Sequence, residues 1–199
     1  LITSGVLGCE CCAFPIVAGI PVLIADDRTR DAMHALEAGR HDEALAMLLG
    51  LGTVKNEKSW RLLSPDTKTN LREALELLSP NAEGTYFLHR FADPTFVPAE
   101  ALFRAILQTD IAGAGPLLDL CGGVGHLTRV LDTAQPISSS AQSTITLDLH
   151  FWKLWLATRF TLPGSTAICC SVEDPLPFAS NLFSIVTLMD AFPYIWHKR

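Results

Sequence analysis

The feature that most constrains the fold is an alternation of short apolar runs with helical patterns that begins near residue 115. Apolar runs at 116–120, 144–147, 166–172 and 183–189 have the length of strands, and stretches with helical spacing at 127–131 and 151–160 separate the first three. Continuous apolar runs such as PLLDL and FSIVTLM fit strands that are covered on both faces. Strands that alternate with helices predict an α/β fold with a parallel, Rossmann-like sheet.

Two further segments precede this sheet. Residues 1–25 are apolar, rich in cysteine and interrupted by glycine and proline, which predicts short strands and turns. From 26 to 112 the apolar residues recur at helical spacing, which predicts a set of short helices, including a helix-turn-helix at 35–50. We therefore expect a small β-rich unit at 1–25, a helical region at 26–112 and a sheet domain at 113–199.

Composition and charge limit the function classes. The chain has 199 residues, of which 49% are hydrophobic and 18% charged, so it can bury a sizeable core. A net charge of −6 supplies no positive field for a phosphate backbone, which disfavours nucleic acid as a partner. No apolar stretch reaches the roughly 18–20 residues that a membrane-spanning helix needs, so we expect no membrane association and a cytoplasmic protein. The six cysteines lie in clusters, which favours reduced thiols over disulfides.

A glycine-rich turn follows the first strand of the predicted sheet. Residues 119–125 read D-L-C-G-G-V-G and open a helix. Glycines allow a tight turn and a close approach of a ligand to the backbone, although glycines in such a turn can also serve packing alone. A dinucleotide-binding G-x-G-x-x-G pattern begun at Gly123 would place Thr128 where a small residue is needed. An NAD(P)-dependent oxidoreductase is therefore the weaker alternative.

The turn resembles the first motif of class I S-adenosylmethionine-dependent methyltransferases, an acidic residue followed by G-x-G-x-G, with Cys121 in place of the first glycine. Asp148 ends the next strand and resembles the family's second motif, whose carboxylate accepts hydrogen bonds from both ribose hydroxyls. An acceptor-only carboxylate suits a vicinal diol, and a helix N-cap is the alternative role.

Two later segments extend the resemblance. Residues 171–178, SVEDPLPF, resemble the family's D-x-E-x-x-L-P-F, with Ser171 in place of the aspartate that bonds the adenine amino group. The fourth strand resembles a later motif of the family and ends at Asp190, with Ser184 where an aspartate is customary. The order and spacing of these segments over about 115–196 carry the resemblance.

The resemblance implies S-adenosylmethionine as cofactor and methyl transfer to an unidentified small-molecule or protein acceptor. A non-catalytic S-adenosylmethionine-binding or scaffold protein with a degenerate methyltransferase fold is the alternative. With only four strands in the pattern, we expect the 199-residue chain alone to have little activity. No catalytic residue is assigned, because capping or solvated roles fit His126, His150, Asp190, Tyr194 and His197 better than proton transfer does. The implied cofactor-binding residues are Asp119, Cys121, Gly122, Gly123, Gly125, Asp148, Leu149, Ser171, Val172 and Asp190.

The N-terminal segment carries a separate resemblance. Residues 5–23, GVLGCECCAFPIVAGIPVL, resemble the second half of small zinc-ribbon modules that are fused to, or partnered with, methyltransferases. The C-x-x-C that precedes this half in the family is not found here. A closed structural zinc site needs four ligands, whereas Cys9 with Cys11 or Cys12 supplies two. We therefore predict a remnant of a ribbon, or a truncated ribbon, in preference to a working metal site.

Overall fold

The computed structural model of the chain describes residues 2–52, 57–64, 68–90, 93–94, 96–109, 115–133 and 143–196. Its centre is a parallel sheet of four strands, arranged in the order β6-β5-β4-β7. The first strand of this sheet, β4, lies in its interior. The next two strands are added on one side and the last on the other, which is the strand order of half a Rossmann fold. The predicted α/β fold is confirmed. The strands are Leu117–Leu120 (β4), Thr144–Asp148 (β5), Thr166–Cys169 (β6) and Ile185–Leu188 (β7).

Helices follow the first two strands of this sheet, as the apolar spacing predicts. Helix α7 spans His126–Thr133, and α8 spans Phe151–Leu156 and continues into a π-helical turn at Ala157–Thr161. Successive residues of β4 point to opposite faces. Leu117 packs with the apolar side of α7, and Leu118 packs with Leu147 and the segments after β6. Both faces of the central strand are therefore covered, in keeping with its continuous apolar sequence.

Six helices lie in the described part of the region before the sheet. Asp26 caps α1 by accepting a hydrogen bond from the Thr29 backbone N–H at 2.7 Å, and Asn70 forms a capping box with Glu73 at the start of α4. The first two helices form the predicted helix-turn-helix. The bounds are Asp27–Glu37 (α1), His41–Leu48 (α2), Glu57–Leu63 (α3), Leu71–Leu78 (α4), Ala82–Arg90 (α5) and Phe96–Leu107 (α6).

The N-terminal segment forms an antiparallel sheet that joins the edge of the parallel one. Its strands are Gly5–Gly8 (β1), Ala13–Val17 (β2) and Ile20–Pro21 (β3). Directly after β3, Val22 pairs in parallel with Cys169 of β6, and the Leu23 N–H donates to the Cys169 carbonyl at 2.7 Å. This contact covers part of the outer edge of β6, which would otherwise present unpaired backbone groups.

One hydrophobic core joins all three parts of the chain. It contains Ile20 from the small sheet, Leu75 from the helical region and Leu154 from α8, each 1% exposed or less. The division into units at 1–25, 26–112 and 113–199 stays a prediction. Within the described residues, no helix has the length and apolar character needed to cross a membrane.

The position of Ile20 predicts that the small sheet contributes to global stability. Replacing Ile20 by Ala should lower the free energy of unfolding by about 2–4 kcal/mol, because it removes buried methyl groups from the shared core. Val6→Ala on the exposed strand β1 is the control, with an expected change below about 0.5 kcal/mol. Urea denaturation followed by circular dichroism measures both. An Ile20→Ala variant as stable as the wild type would show that the small sheet is not part of the cooperative core.

Candidate functional site

The candidate site lies at the carboxyl edge of the parallel sheet. Because all four strands run in the same direction, the residues that follow them share this edge. Nine of the ten predicted cofactor-binding residues lie at or just beyond a strand end, and Asp119 lies within β4. Along the edge from β6 to β7 they run in the order Ser171 and Val172, Asp148 and Leu149, the loop from Cys121 to Gly125, and Asp190.

The loop after β4 is packed so tightly that one of its glycines cannot be replaced without displacement of neighbours. A Cβ on Gly122 would lie 2.5 Å from Cγ2 of Thr146 and 2.9 Å from Oδ2 of Asp119. The Gly122 N–H donates to the Leu147 carbonyl at 3.1 Å, which ties the loop to β5. Close packing therefore requires a glycine at position 122, in agreement with the packing role considered for the glycines of this turn.

Three loop residues adopt a left-handed backbone, and one of them is not glycine. The φ angles are +55° at Cys121, +57° at Gly123 and +84° at Gly125. A Cβ at Gly125 would also lie 3.2 Å from Cβ of Ala157, in the π-helical turn after α8. The loop thus turns as a glycine-rich loop does, with backbone strain at Cys121.

Asp119 lies beneath this loop, fully buried, in a network of threonine hydroxyls. Thr128 donates to its Oδ2 at 2.6 Å, and Thr187 donates to its Oδ1 at 2.9 Å. The Thr146 hydroxyl donates in turn to the Thr128 hydroxyl at 3.0 Å. The network joins β4, β5, β7 and the first turn of α7 around one carboxyl group.

The direct cofactor contact that the sequence predicts for Asp119 stays a prediction, and the structure shows what surrounds the side chain. The side chain is 1% exposed, and both of its oxygens accept hydrogen bonds from within the protein. Burial raises the pKa of Asp119 to about 6, although the bonds from Thr128 and Thr187 oppose this rise. Asp119 therefore positions the loop and does not reach the surface of the crevice.

Asp148 stands at the end of β5 and meets the loop directly. Its Oδ2 accepts from the Gly123 N–H at 3.0 Å, and its Oδ1 accepts from the His150 N–H at 2.8 Å. Burial raises the pKa of Asp148, but hydrogen bonds from the His150 side chain and backbone, with the charge of Lys153, outweigh burial and hold the pKa below its usual value. The N-cap of α8 is His150, so Asp148 braces the start of the helix from outside it.

The residues beside Asp148 form a surface that combines apolar and polar groups. Leu149 is 51% exposed, directly after the buried end of β5. Ser171 and Val172 are half-buried after the neighbouring strand β6, and the Ser171 hydroxyl accepts from the Glu173 N–H at 3.1 Å. Accessible apolar and polar side chains therefore follow both β5 and β6 at this edge.

Helix α5 covers the opposite side of the loop. The Phe87 ring lies about 3.6 Å from the position of a Cβ on Gly123, and the Phe87 carbonyl is 3.2 Å from Nε2 of His126. At the end of the same helix, Arg90 forms an ion pair with Asp190, the predicted residue that follows β7. The helical region thus contributes a wall to a site that the sequence places on the sheet alone.

The histidine at the start of α7 is not suited to act as a base. His126 is buried among Phe87 and Phe96, and burial lowers its pKa to about 4. Tyr194 is exposed beyond β7, and His197 lies outside the described residues. No catalytic base is assigned from these positions.

The sequence analysis missed the supporting residues of the site. Thr146 and Thr187 interrupt otherwise apolar strands, and a polar residue within a buried strand signals a hydrogen-bonded partner. Thr128 was considered only as an obstacle to dinucleotide packing. Phe87 and Arg90 carry no such signal, because only the tertiary fold brings α5 to the loop.

The N-terminal cysteines also differ from the expectation. All three thiols of Cys9, Cys11 and Cys12 converge in the loop between β1 and β2, with their sulfurs within 4.8 Å of one another. The sequence alone predicts two potential metal ligands in this segment, Cys9 with either Cys11 or Cys12. In the structure the loop presents three sulfur atoms that could bind one ion.

A cavity lies away from the sheet edge, between α6 and α7. Its volume is about 100 Å³, and Phe96, Arg104 and Arg129 are among the residues that line it. Pockets for ligands of nucleoside size or larger usually measure about 300–1,000 Å³. The cavity is therefore too small to replace the sheet edge as the candidate cofactor site.

No protein-family model matches the sequence, and no curated protein matches it. Among solved structures, the chain is similar to an O-methyltransferase, NcsB1 from neocarzinostatin biosynthesis, in complex with S-adenosylmethionine and 2-hydroxy-5-methyl naphthoic acid. The identity is 21% and the TM-score 0.30, over 74% of this chain and 60% of that one. The same enzyme with S-adenosyl-L-homocysteine gives 23% and 0.32, over 74% and 61%.

The chain spans about 60% of the length of these solved structures. A likeness at this identity and TM-score does not decide the chemistry. The function therefore has to be argued from the residues at the edge of the sheet.

The pKa of Asp119 predicts a pH-dependent effect of the Asp119→Asn substitution. An asparagine can keep hydrogen bonds with both threonines. Its amide group can donate to the Thr187 hydroxyl, because that hydroxyl lies 3.3 Å from the Leu118 carbonyl and can donate there instead. The folded carboxyl holds its proton up to about pH 6, whereas the unfolded one loses it near 3.8. The raised pKa of Asp119 therefore adds to the free energy of unfolding of the wild type below about pH 4, and this contribution is lost as the pH rises through about 6.

The stability of Asp119→Asn relative to wild type should therefore increase by about 2–4 kcal/mol between pH 4 and pH 7. Urea denaturation at both values measures this difference, and the comparison cancels the contribution of His126. Asp119→Ala is the control that removes the acceptor of the buried Thr128 hydroxyl, and it should be destabilised at both pH values. A pH-independent difference for the asparagine variant would contradict the burial of a titrating carboxyl.

The backbone at Cys121 predicts that glycine is better tolerated there than cysteine. Cys121→Gly should raise the free energy of unfolding by about 1 kcal/mol, because glycine adopts a positive φ without steric cost. Gly123→Ala is the matched control at nearly the same φ, and it should lose about 1 kcal/mol. Thermal denaturation of the two variants measures both signs. Destabilisation by Cys121→Gly would show that packing of the thiol outweighs the strain.

Proposed function

We propose that this chain binds S-adenosylmethionine along the carboxyl edge of its parallel sheet and takes part in methyl transfer to an acceptor molecule. The observation that carries the proposal is the contact between Asp148 and Gly123. It joins a carboxylate at the end of one strand to a glycine-rich loop after its neighbour. The loop follows β4, beside the point where the strand order reverses, and ligands of open α/β sheets bind at such points.

The residues present fit the parts of this cofactor. The two oxygens of an ionised carboxylate offer about four acceptor sites, so Asp148 keeps capacity for a hydroxyl beyond the bonds from Gly123 and from the backbone and side chain of His150. Its low pKa keeps it ionised at neutral pH. Leu149 offers an exposed apolar side chain beside it for a flat base, and Ser171 offers a hydroxyl after the next strand.

The order of the strands assigns a part of the cofactor to each strand end. Ser171 and Val172 after β6 would hold the base, Asp148 after β5 the ribose, and the loop after β4 the amino-acid portion. Bound S-adenosylmethionine would supply an activated methyl group on a sulfonium. The chain's own residues would hold the two reactants in line, and such alignment supplies much of the acceleration in reactions of this kind.

The acceptor would enter between α5 and the end of β7. Arg90 is held there by Asp190 and lies against the Phe96 ring, 5.1 Å from its centroid, while Tyr86 on the same helix is 46% exposed. These groups would shape and orient an acceptor. The ion pair between Arg90 and Asp190 holds α5 against the sheet. It would therefore position the groups that contact the acceptor and would not itself react.

A cofactor-binding protein without turnover is the second candidate, and Cys121 is the observation that favours it. A side chain occupies a left-handed position where the resembled family has bare backbone. Binding of S-adenosylhomocysteine together with no methyl transfer to a broad acceptor panel would identify this candidate.

The role of Asp148 predicts a loss of cofactor affinity on substitution. Asp148→Ala should weaken S-adenosylhomocysteine binding by about 1–3 kcal/mol, because hydrogen bonds to a charged group are lost. Isothermal titration calorimetry measures the affinity. Asp132→Ala on the exposed face of α7 is the matched control and should bind as the wild type does.

Asp148→Asn keeps the size of the side chain and shows whether a loss of affinity reflects the carboxylate or an unfolded loop. Circular dichroism of each variant checks the fold. Wild-type affinity in both Asp148 variants would remove this residue from the site. Binding of NADH in preference to S-adenosylhomocysteine would overturn the proposed function as a whole.

A further inference from the structure

The loop between β1 and β2 gathers three thiols. The Sγ atoms are 3.0 Å apart for Cys9 and Cys11, 3.3 Å for Cys9 and Cys12, and 3.7 Å for Cys11 and Cys12. The hairpin produces this arrangement, because Gly8 pairs with Ala13 and the Cys9 N–H donates to the Cys12 carbonyl at 2.9 Å. All three cysteines are exposed.

These separations are close to those of sulfurs around one metal ion. Zn–S bonds of about 2.3 Å in a tetrahedron place the sulfurs about 3.8 Å apart, so the thiols need to move apart by at most about 0.8 Å. The distances within the loop therefore match a preformed face of three ligands.

We propose that Cys9, Cys11 and Cys12 bind one thiophilic divalent metal ion of the zinc type through three thiolates, with a fourth position open to solvent. Three metal–sulfur bonds form, the thiol protons pass to solvent and no electron is transferred. The inference does not depend on the proposed function. It also departs from the zinc-ribbon resemblance, in which this half of the module supplies only part of a closed site.

The open position distinguishes this site chemically. Closed sites of four protein ligands serve structure, whereas sites with three protein ligands keep a position for water or another ligand. Glu10 lies in the same exposed loop between the ligands. The Glu10 carboxylate is the nearby protein group that could occupy the fourth position in place of solvent, and its substitution distinguishes the two cases.

Cobalt(II) titration of the full reduced chain tests the proposal, because cobalt replaces zinc and reports thiolate ligands by a sulfur-to-metal charge-transfer band. One cobalt ion per chain should bind, and zinc should displace it. Cys11→Ser should reduce the band by about one third, since one of three thiolates is lost. The same substitution should weaken zinc binding at least about tenfold in a competition assay with a chromogenic chelator.

Two control variants define the ligand set. Cys170→Ala removes a thiol outside the loop and should leave the band and the stoichiometry unchanged. Glu10→Gln should leave the band unchanged if the fourth position is open, and weaker zinc binding in that variant would overturn the open site. Thiol counts before titration establish that the loop is reduced, and circular dichroism checks that each variant folds.

Several results would overturn the proposal. Absence of a charge-transfer band in the fully reduced chain would show that the thiols do not bind the metal. An unchanged band in Cys11→Ser would limit the ligands to two. One cobalt ion for every two chains would assign the site to a pair of chains.

Discussion

The hydrogen bonds from threonine hydroxyls to the buried Asp119 carboxyl are the interaction on which the rest of the site depends. Burial of a carboxylate is costly unless hydrogen bonds compensate it, and here Thr128 and Thr187 each donate to one oxygen. These bonds connect the central strand to β7 and to the start of α7, and Thr146 adds β5. The loop after β4 rests on this network with no room for a side chain at Gly122. The conformation of the loop is therefore fixed from below.

Two carboxyl groups near the loop have opposite electrostatic environments, which separates their roles. Asp119 lies deep in the sheet, where burial raises its pKa to about 6. Asp148 lies at the strand end, where His150 and Lys153 lower its pKa despite burial. A group that must accept hydrogen bonds from a ligand at neutral pH needs to be ionised, and Asp148 meets this condition. Asp119 serves by holding the backbone that faces the ligand.

Local pattern was enough to predict the elements and the edge of the sheet that carries the site. Apolar runs gave the four strands, and the parallel direction then placed Asp148 and Ser171 at one edge. Contacts between distant segments left no such pattern. The pairing of Val22 with Cys169, and the approach of Phe87 to Gly123, depend on how the helical region packs. The burial of Asp119 could not be predicted either, because a motif shows residue type but not the direction of the side chain.

The central claim is that the carboxyl edge of the sheet binds a nucleoside cofactor through the loop and Asp148. Amide chemical shifts of the 15N-labelled chain during titration with S-adenosylhomocysteine test it most directly. The account predicts that the largest shifts occur at Gly123, Leu149 and Val172, from three neighbouring strand ends. Shifts confined to Phe96 and Arg129 at the cavity between α6 and α7, or no shifts at a saturating concentration, would contradict it.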